Sequence, residues 1–536
     1  DSRKSRGLGD VYKRQSFTFS FMSYSQTRYI DEVFSDVTIH SDVNYGTNVS
    51  VLPLLLGAPP SPTPLVCDIY EPSGDSLTNR PVVILAHTGV FLPPVINGQP
   101  TGSKLDSSIV EQCKRWAKKG YVAVAFNYRL GWNASSSVQE VRTATVIQAV
   151  YRGMQDARTV TRFMRSTHDN GNTYGINPSK IVLGGHGSGG YVSLAVATLD
   201  TAMEMYLPKF ISPSNGQPFV IPQFYGNING TDSTFYPDST PPFNSPIPLL
   251  MNIPNHETYS SDVNMAFNIG GALADISWLD DGGIPIVSFH CYKDPFAPID
   301  TGDVVNPATG DFVVELMGSR TVQHYSNLYG NNDVFVNAGL SDAFTNAANL
   351  NNDGYEGFYK FITPPPSTTP NVFGQYETEQ ASPWDWWNLA AYDTAWRLSP
   401  QTPAAAAIPG FGAANSLLDN PTMSISRGNT YIDTIQGYLN PRIYVALNLG
   451  NSTDIQNVIL SSTQVYPNPA NDKISISSYA VKINELDIYD ISGKLVESHY
   501  VNANKININT SKLKSGIYFI EIKSDVSKIK KKVIIN

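Results

Sequence analysis

Leu183–Tyr191 reads LGGHGSGGY. The run leading into it, KIVLGGH (Lys180–His186), is short and nearly continuously apolar, which predicts a strand buried on both faces. The glycines that follow signal a sharp turn, here from strand into helix. Such a turn lifts one residue to an apex beyond the end of the sheet, where it can present a nucleophilic side chain. Residues two before and two after the apex must be small, because helix and strand pack closely there. With Ser188 at the apex the flanks are His186 and Gly190, and His186 is far too bulky. With Gly187 at the apex they are Gly185 and Gly189, both ideal. Glycine also accepts the unusual dihedrals of an apex without strain. The preferred register therefore puts a residue without a side chain at the apex and Ser188 beside it.

Working outward, strand and helix signals alternate from about Gln26 to Leu449, the mark of an α/β fold. DVTIHSDV and LVCDIYEP read as antiparallel opening strands. Pro81–Gly89, Tyr121–Arg129, Pro285–Tyr292 and Asp311–Gly318 join Lys180–His186 as strands buried on both faces. SSIVEQCKRWAKKG and TVIQAVYRGMQDARTVTRFMRS carry helical apolar spacing, and TYIDTIQGYLNPRIYVALNL gives a closing helix. Leu207–Gly283 interrupts the alternation with Pro, Asn, Ser and Tyr and is expected to cap the C-terminal ends of the strands. The expected organisation is a large α/β domain over 26–450 containing that insertion at 207–283, a linker over 451–464, and an all-β sandwich over 465–536. Residues 1–25 fall outside fold reasoning: DSRKSRGLGDVYKRQ resembles translated adapter sequence, and SFTFSFMSYS reads as the remnant of a signal peptide.

The formal net charge of −9 argues against nucleic acid or an anionic membrane as the main partner. No apolar run is long enough to predict a transmembrane segment. Cys67, Cys113 and Cys291 fit no zinc or redox spacing and read as buried thiols, with one disulfide left open. Asn349–Gly354 half-matches a calcium loop, but Lys360 stands at its twelfth position, so it reads as a turn. No metal and no cofactor is expected. Trp384, Trp386 and Trp387 read as core packing, or as a platform for a sugar or polymer.

Six motifs in order resemble the carboxylesterase-type α/β-hydrolases: DIYEP (Asp68–Pro72), PVVILAHTGVF (Pro81–Phe91), NYRLG (Asn127–Gly131), QDARTVTRFMR (Gln155–Arg165), INPSKIVLGGHGSGGYVSL (Ile176–Leu194) and DPFAP (Asp294–Pro298). The resemblance implies an α/β-hydrolase fold and a serine, a histidine and an acid in that fold's chain order, Ser–Asp–His. Family sequences of the form IVLGG(H/E)SAGGY place their serine on Gly187, with His186 as the structural residue before it. Ser188 is then the remaining hydroxyl, Asp294 the acid and His324 the default base, being the only histidine between Asp294 and the C-terminal module. His87-Thr88-Gly89 stands where esterases carry a His-Gly-Gly oxyanion loop, with Gly89 N–H and Ser188 N–H as the implied donors and Thr88 as a departure. His290 is expected to pack at its strand end.

The tail resembles the C-terminal sorting domain of Bacteroidetes cargo for the type IX secretion system. The matching residues are Tyr466-Pro467-Asn468-Pro469, the turn Asp490–Lys494, the run Leu513–Tyr518 and a Lys-rich last strand. It implies a protein secreted or attached to the cell surface, with the type IX machinery as partner. Two functions compete: an exported hydrolase of small-molecule or polymeric carboxylic esters with a degenerate elbow, and a catalytically silent α/β-hydrolase-fold binding module. A sugar-binding surface protein is a third.

Overall fold

The computed structural model describes residues 27–306, 309–381, 384–450, 463–478, 482–491, 493–524 and 528–536. The expected adapter and signal remnant over 1–25 lies outside them, as does most of the linker.

Eight strands form the central sheet: β1 (Val37–Ser50), β2 (Ser61–Pro72), β3 (Arg80–Ala86), β4 (Val122–Phe126), β5 (Ile176–His186), β6 (Met265–Ile269), β7 (Ile286–Cys291) and β8 (Phe358–Phe361). Their order is β1-β2-β4-β3-β5-β6-β7-β8. β2 is antiparallel to β1 and to β4, and β4, β3 and β5 through β8 run parallel. The crossovers between the parallel strands carry α1 (Ser107–Lys118), α2 (Gln139–Asp169), α3 (Ser188–Thr198) and α4 (Ser319–Leu328); α5 (Ile425–Ala446) closes the domain. Alternation along each strand divides the core into two layers. On β3, Val82, Ile84 and Ala86 pack in the layer with Met154 of α2 and Val192 of α3. Val83 and Leu85 pack in the other, with Ile109 and Trp116 of α1 and Ile435 of α5. Burial on both faces is why these strands read as unbroken apolar runs rather than alternating ones.

The structure differs from the sequence reading at three places. Asp311–Gly318 is not a strand of the central sheet. Phe312–Met317 pairs antiparallel with Thr301–Val305 in a hairpin and buries only part of its length. Leu207–Gly283 is not one insertion, because MAFNI within it is β6, between β5 and β7. Five residues, four of them apolar, carry no flanking signal that separates such a strand from a loop. Nor does most of 207–264 cover the strand ends. Arginines of α2, two of them buried, hold it alongside that helix: Arg158 donates to the Ile228 carbonyl at 2.8 Å, Arg162 to those of Asn229 at 2.8 Å and Asn255 at 3.1 Å, and the half-buried Arg165 to those of Ser260 and Asp262 at 2.6 Å each. Carbonyl dipoles stand in for carboxylates here, and burial draws the Arg158 guanidinium down to about 10.

The C-terminal module has a separate apolar core, including Ile474, Ile476, Leu486, Ile488, Ile520 and Val533. It holds a three-stranded sheet (Thr463–Tyr466, Lys473–Ser478, Lys505–Asn509) and a four-stranded one (Leu495–Ala503, Ile483–Asp490, Gly516–Lys523, Lys528–Ile535), all antiparallel. The last strand is an edge, and its lysines discourage further pairing. All three cysteines are buried and free.

Candidate active site

β5 ends at His186 and α3 begins at Ser188, so the whole turn is Gly187. Gly187 has φ 50° and ψ −116°, a left-handed conformation that L side chains rarely adopt. Its N–H donates to the Ile269 carbonyl at 2.8 Å, tying the turn to β6. The flanks are as tight as a sharp elbow requires. A Cβ on Gly185 would run into the Gly189 backbone, and one on Gly189 into the Ala86 carbonyl. A Cβ on Gly187 would meet the Thr88 side chain, with Thr88 Oγ1 well inside contact distance and Thr88 Cβ at 3.1 Å. The volume above the apex is therefore filled, by a hydroxyl from the neighbouring loop.

Ser188 is buried in the first turn of α3, and its Oγ lies 3.0 Å from the Tyr128 hydroxyl. Tyr128 spends its one proton on the His87 carbonyl at 2.9 Å, so Ser188 donates to Tyr128. Burial pushes the Tyr128 phenol upward, and no imidazole joins this pair. His87 stacks on Tyr128 at 4.4 Å between ring centres, and its Nδ1–H donates to the Thr88 carbonyl at 2.6 Å. Burial draws His87 down to about 4, which keeps it neutral. The loop after it carries three successive positive φ angles: Gly89 at 113°, Val90 at 46° and Phe91 at 57°. Two of these fall on side-chain-bearing residues, one of them β-branched, and such strain persists only where the surroundings enforce it. Thr88, Val90 and Phe91 of this loop line a cavity, and a Cβ on Gly89 would run into the α-carbon of Gly102.

That cavity, of about 140 Å³, opens beside the elbow. Its floor includes Gly187, Ser188 and Tyr191. Its walls come from α2 (Val146, Val150, Met154), from Leu199 and Phe210, from Trp278, and from the hairpin (Val304, Val314, Leu316). Asp294 enters it from the turn after β7. Asp294 Oδ1 accepts the N–H groups of Phe296 at 2.8 Å and Ala297 at 3.1 Å. Burial pushes its carboxyl up to about 7, and Asp419 adds to that shift.

His324 does not reach the cavity. It sits on the exposed face of α4, its ring edge-on to Tyr325 and Tyr355, because that helix turns Val322, Gln323 and Ser326 inward. Nor does another histidine take its place: none of the eight in the chain lines the cavity. His290 comes nearest, with Nε2 3.9 Å from Asp294 Oδ2. Both its nitrogens are engaged: Nε2–H donates to the Ala297 carbonyl at 3.0 Å, and Nδ1 accepts from Ser319 Oγ at 2.8 Å. Ser319 in turn accepts from Asn268 at 2.8 Å. Burial keeps His290 neutral, at about 4. It holds the turn that carries Asp294. His186 points away from the cavity: its Nε2 accepts from Gln112 at 2.8 Å, and its ring lies 5.7 Å from that of Trp384. The loop after β8, the last strand, brings Ala381 and Trp384 to the cavity. Their contribution had no sequence signal beyond the tryptophan cluster. Among the described residues no cluster of His, Cys, Asp or Glu could hold a metal ion.

Strand order and the tight strand-to-helix elbow after the fifth strand define an α/β-hydrolase fold. Residues 67–306 match the BD-FAE family, and residues 464–536 match the secretion system C-terminal sorting domain. The chain thus joins an esterase-type α/β-hydrolase domain to a type IX sorting domain, and it is secreted or attached to the cell surface. No helix among the described residues is long and apolar enough to cross a membrane. The solved structures similar to it include Thermogutta terrifontis esterase 2 phosphoramylated by tabun (16% identity over 49% of this chain and 75% of that one, TM-score 0.27). The same esterase phosphorylated by paraoxon gives 17% over 49% and 74%, with TM-score 0.27, and its native form 16% over 51% and 76%, with TM-score 0.26. A stretch of 86 residues is 31% identical to an endo-acting ulvan lyase of Formosa agariphila and spans 17% of that protein's length and 16% of this chain.

Proposed function

We propose that this protein is an exported binding module built on an esterase-type α/β-hydrolase domain, catalytically silent toward carboxylic esters. The observation that carries this reading is the elbow. Gly187 holds the dihedrals of an apex, offers no nucleophile, and has the space above it filled by Thr88 Oγ1. Two further observations support it. The Ser188 proton points to a phenol, not to a base, and no histidine lines the cavity. Serine-dependent ester cleavage needs a hydroxyl, an imidazole to take its proton and a carboxylate to orient the imidazole. Of these groups, Asp294 is the carboxylate that lines the cavity. What remains is an apolar cavity with one polar end, suited to holding a small-molecule ligand or the end group of a polymer; the acidic net charge disfavours nucleic acid.

Turnover of short-chain p-nitrophenyl esters by the purified protein tests this. The expected result is no cleavage above buffer. Losing a triad's nucleophile costs on the order of 10⁶ in kcat, so the assay needs a control lacking protein. Turnover abolished by Ser188→Ala would instead establish the competing reading, an ester hydrolase working through the displaced serine.

A further inference from the structure

In a working triad the acid is paired with an imidazole; here it is not. Asp294 Oδ1 is held by two backbone N–H groups, while Oδ2 receives no hydrogen bond among the described residues. Oδ2 lies at the polar end of the cavity, beside Gly270 and the Trp384 ring. We infer that the cavity selects a small apolar or aromatic amine, whose ammonium group pairs with Asp294 Oδ2 while its apolar body fills the space between α2 and the hairpin. The inference rests on the silent-module reading, because a catalytic imidazole would occupy the same oxygen.

Among the described residues, the groups facing Asp294 leave it without a cation. From β7, His290 is neutral, with both nitrogens engaged. From α3 comes the Tyr191 ring, and from the loop after β8 come Ala381 and Trp384. Asp419, ahead of α5, adds negative charge. Lys293, next in sequence, is exposed and turns outward to Glu379 at 3.1 Å. No lysine or arginine lines the cavity among the described residues. A carboxylate ligand would bring like charge to Asp294, whereas an ammonium brings the missing one. The cavity's size matches the roughly 150 Å³ that accommodates a benzene ring in an engineered protein interior.

The test is calorimetric titration of the full chain with three ligands that share one ring: benzylamine, benzyl alcohol and benzoate, at pH 8 and at pH 5.5. Benzylamine is expected to bind tightest at pH 8 and benzoate weakest. Asp294→Asn, which keeps an oxygen for the Phe296 and Ala297 N–H groups, should weaken benzylamine roughly 10- to 100-fold and leave benzyl alcohol within about threefold. Lowering the pH should weaken benzylamine on the native protein but not on Asp294→Asn. Benzoate binding as tightly as benzylamine, or benzylamine indifferent to Asp294→Asn, overturns the inference. If none of the three binds and no ester is cleaved, the inference fails and the silent module stands. Ester turnover lost in Ser188→Ala removes the premise for both.

Discussion

Gly187 and Thr88 behave as one unit. The glycine supplies a backbone that other residues strain to adopt, and the threonine hydroxyl fills the volume a side chain there would need. Gly187→Ala should therefore destabilise the protein by on the order of 2–4 kcal/mol, from the left-handed φ and the collision together. Thr88→Ala in the same chain should return roughly 1–2 kcal/mol of that loss. A double-mutant cycle in urea measures the coupling, and strict additivity would mean that Thr88 does not fill the slot. His324 is a contrasting case. Exposed on α4 and outside the cavity, its replacement by alanine should change stability by less than about 0.5 kcal/mol and leave ligand binding unaltered. In the sequence the elbow register is favoured by a steric rule that acts over five consecutive residues, because only one of the two registers places glycines on both flanks. Chain order alone singled out His324, and the structure places it on the exposed face of α4, outside the cavity lining. Sequence order names a candidate base but carries no information on which face of a helix it occupies.

At the scale of elements, the turn after β7 holds Asp294 in a setting that favours its protonated form. Its pKa is raised from 3.8 to about 7, so between those values the folded protein binds a proton that the unfolded chain has released. The sign follows: stability from this group is fully present below about pH 4, falls as pH rises to about 7, and stays low above that. Asp294→Asn should thus gain on the native protein with rising pH across this window, by on the order of 1–4 kcal/mol at pH 8 relative to pH 4, read as a growing difference in Tm. The native profile alone is a poor readout, because His87 and His290, both drawn down to about 4, lose stability as pH falls from about 6.5 and oppose it. Along α2, Arg158 satisfies several carbonyls at once, so Arg158→Ala should cost on the order of 2–4 kcal/mol in chemical denaturation and loosen 228–262 to proteolysis. The long two-faced apolar runs gave away β3, β4, β5 and β7. β6 and β8 were missed because five and four residues are too few for periodicity to register, and the hairpin strand was misplaced because an apolar run does not say which sheet it joins.

For the whole molecule, two parts with separate cores divide the work. The sorting domain was fully legible, because its motifs are turn sequences and short alternating strands fixed by local chemistry. Removing 463–536 should leave the central sheet folded, with near-native circular dichroism, while the truncated chain stays inside the cell that makes it. The central claim concerns the elbow, and the most direct measurement is the intact mass of the purified protein after exposure to a fluorophosphonate, which titrates activated serines whether or not the ester substrate is known. The account predicts an unchanged mass. A stoichiometric adduct, mapped by peptide sequencing to Ser188 or Thr88, would contradict it.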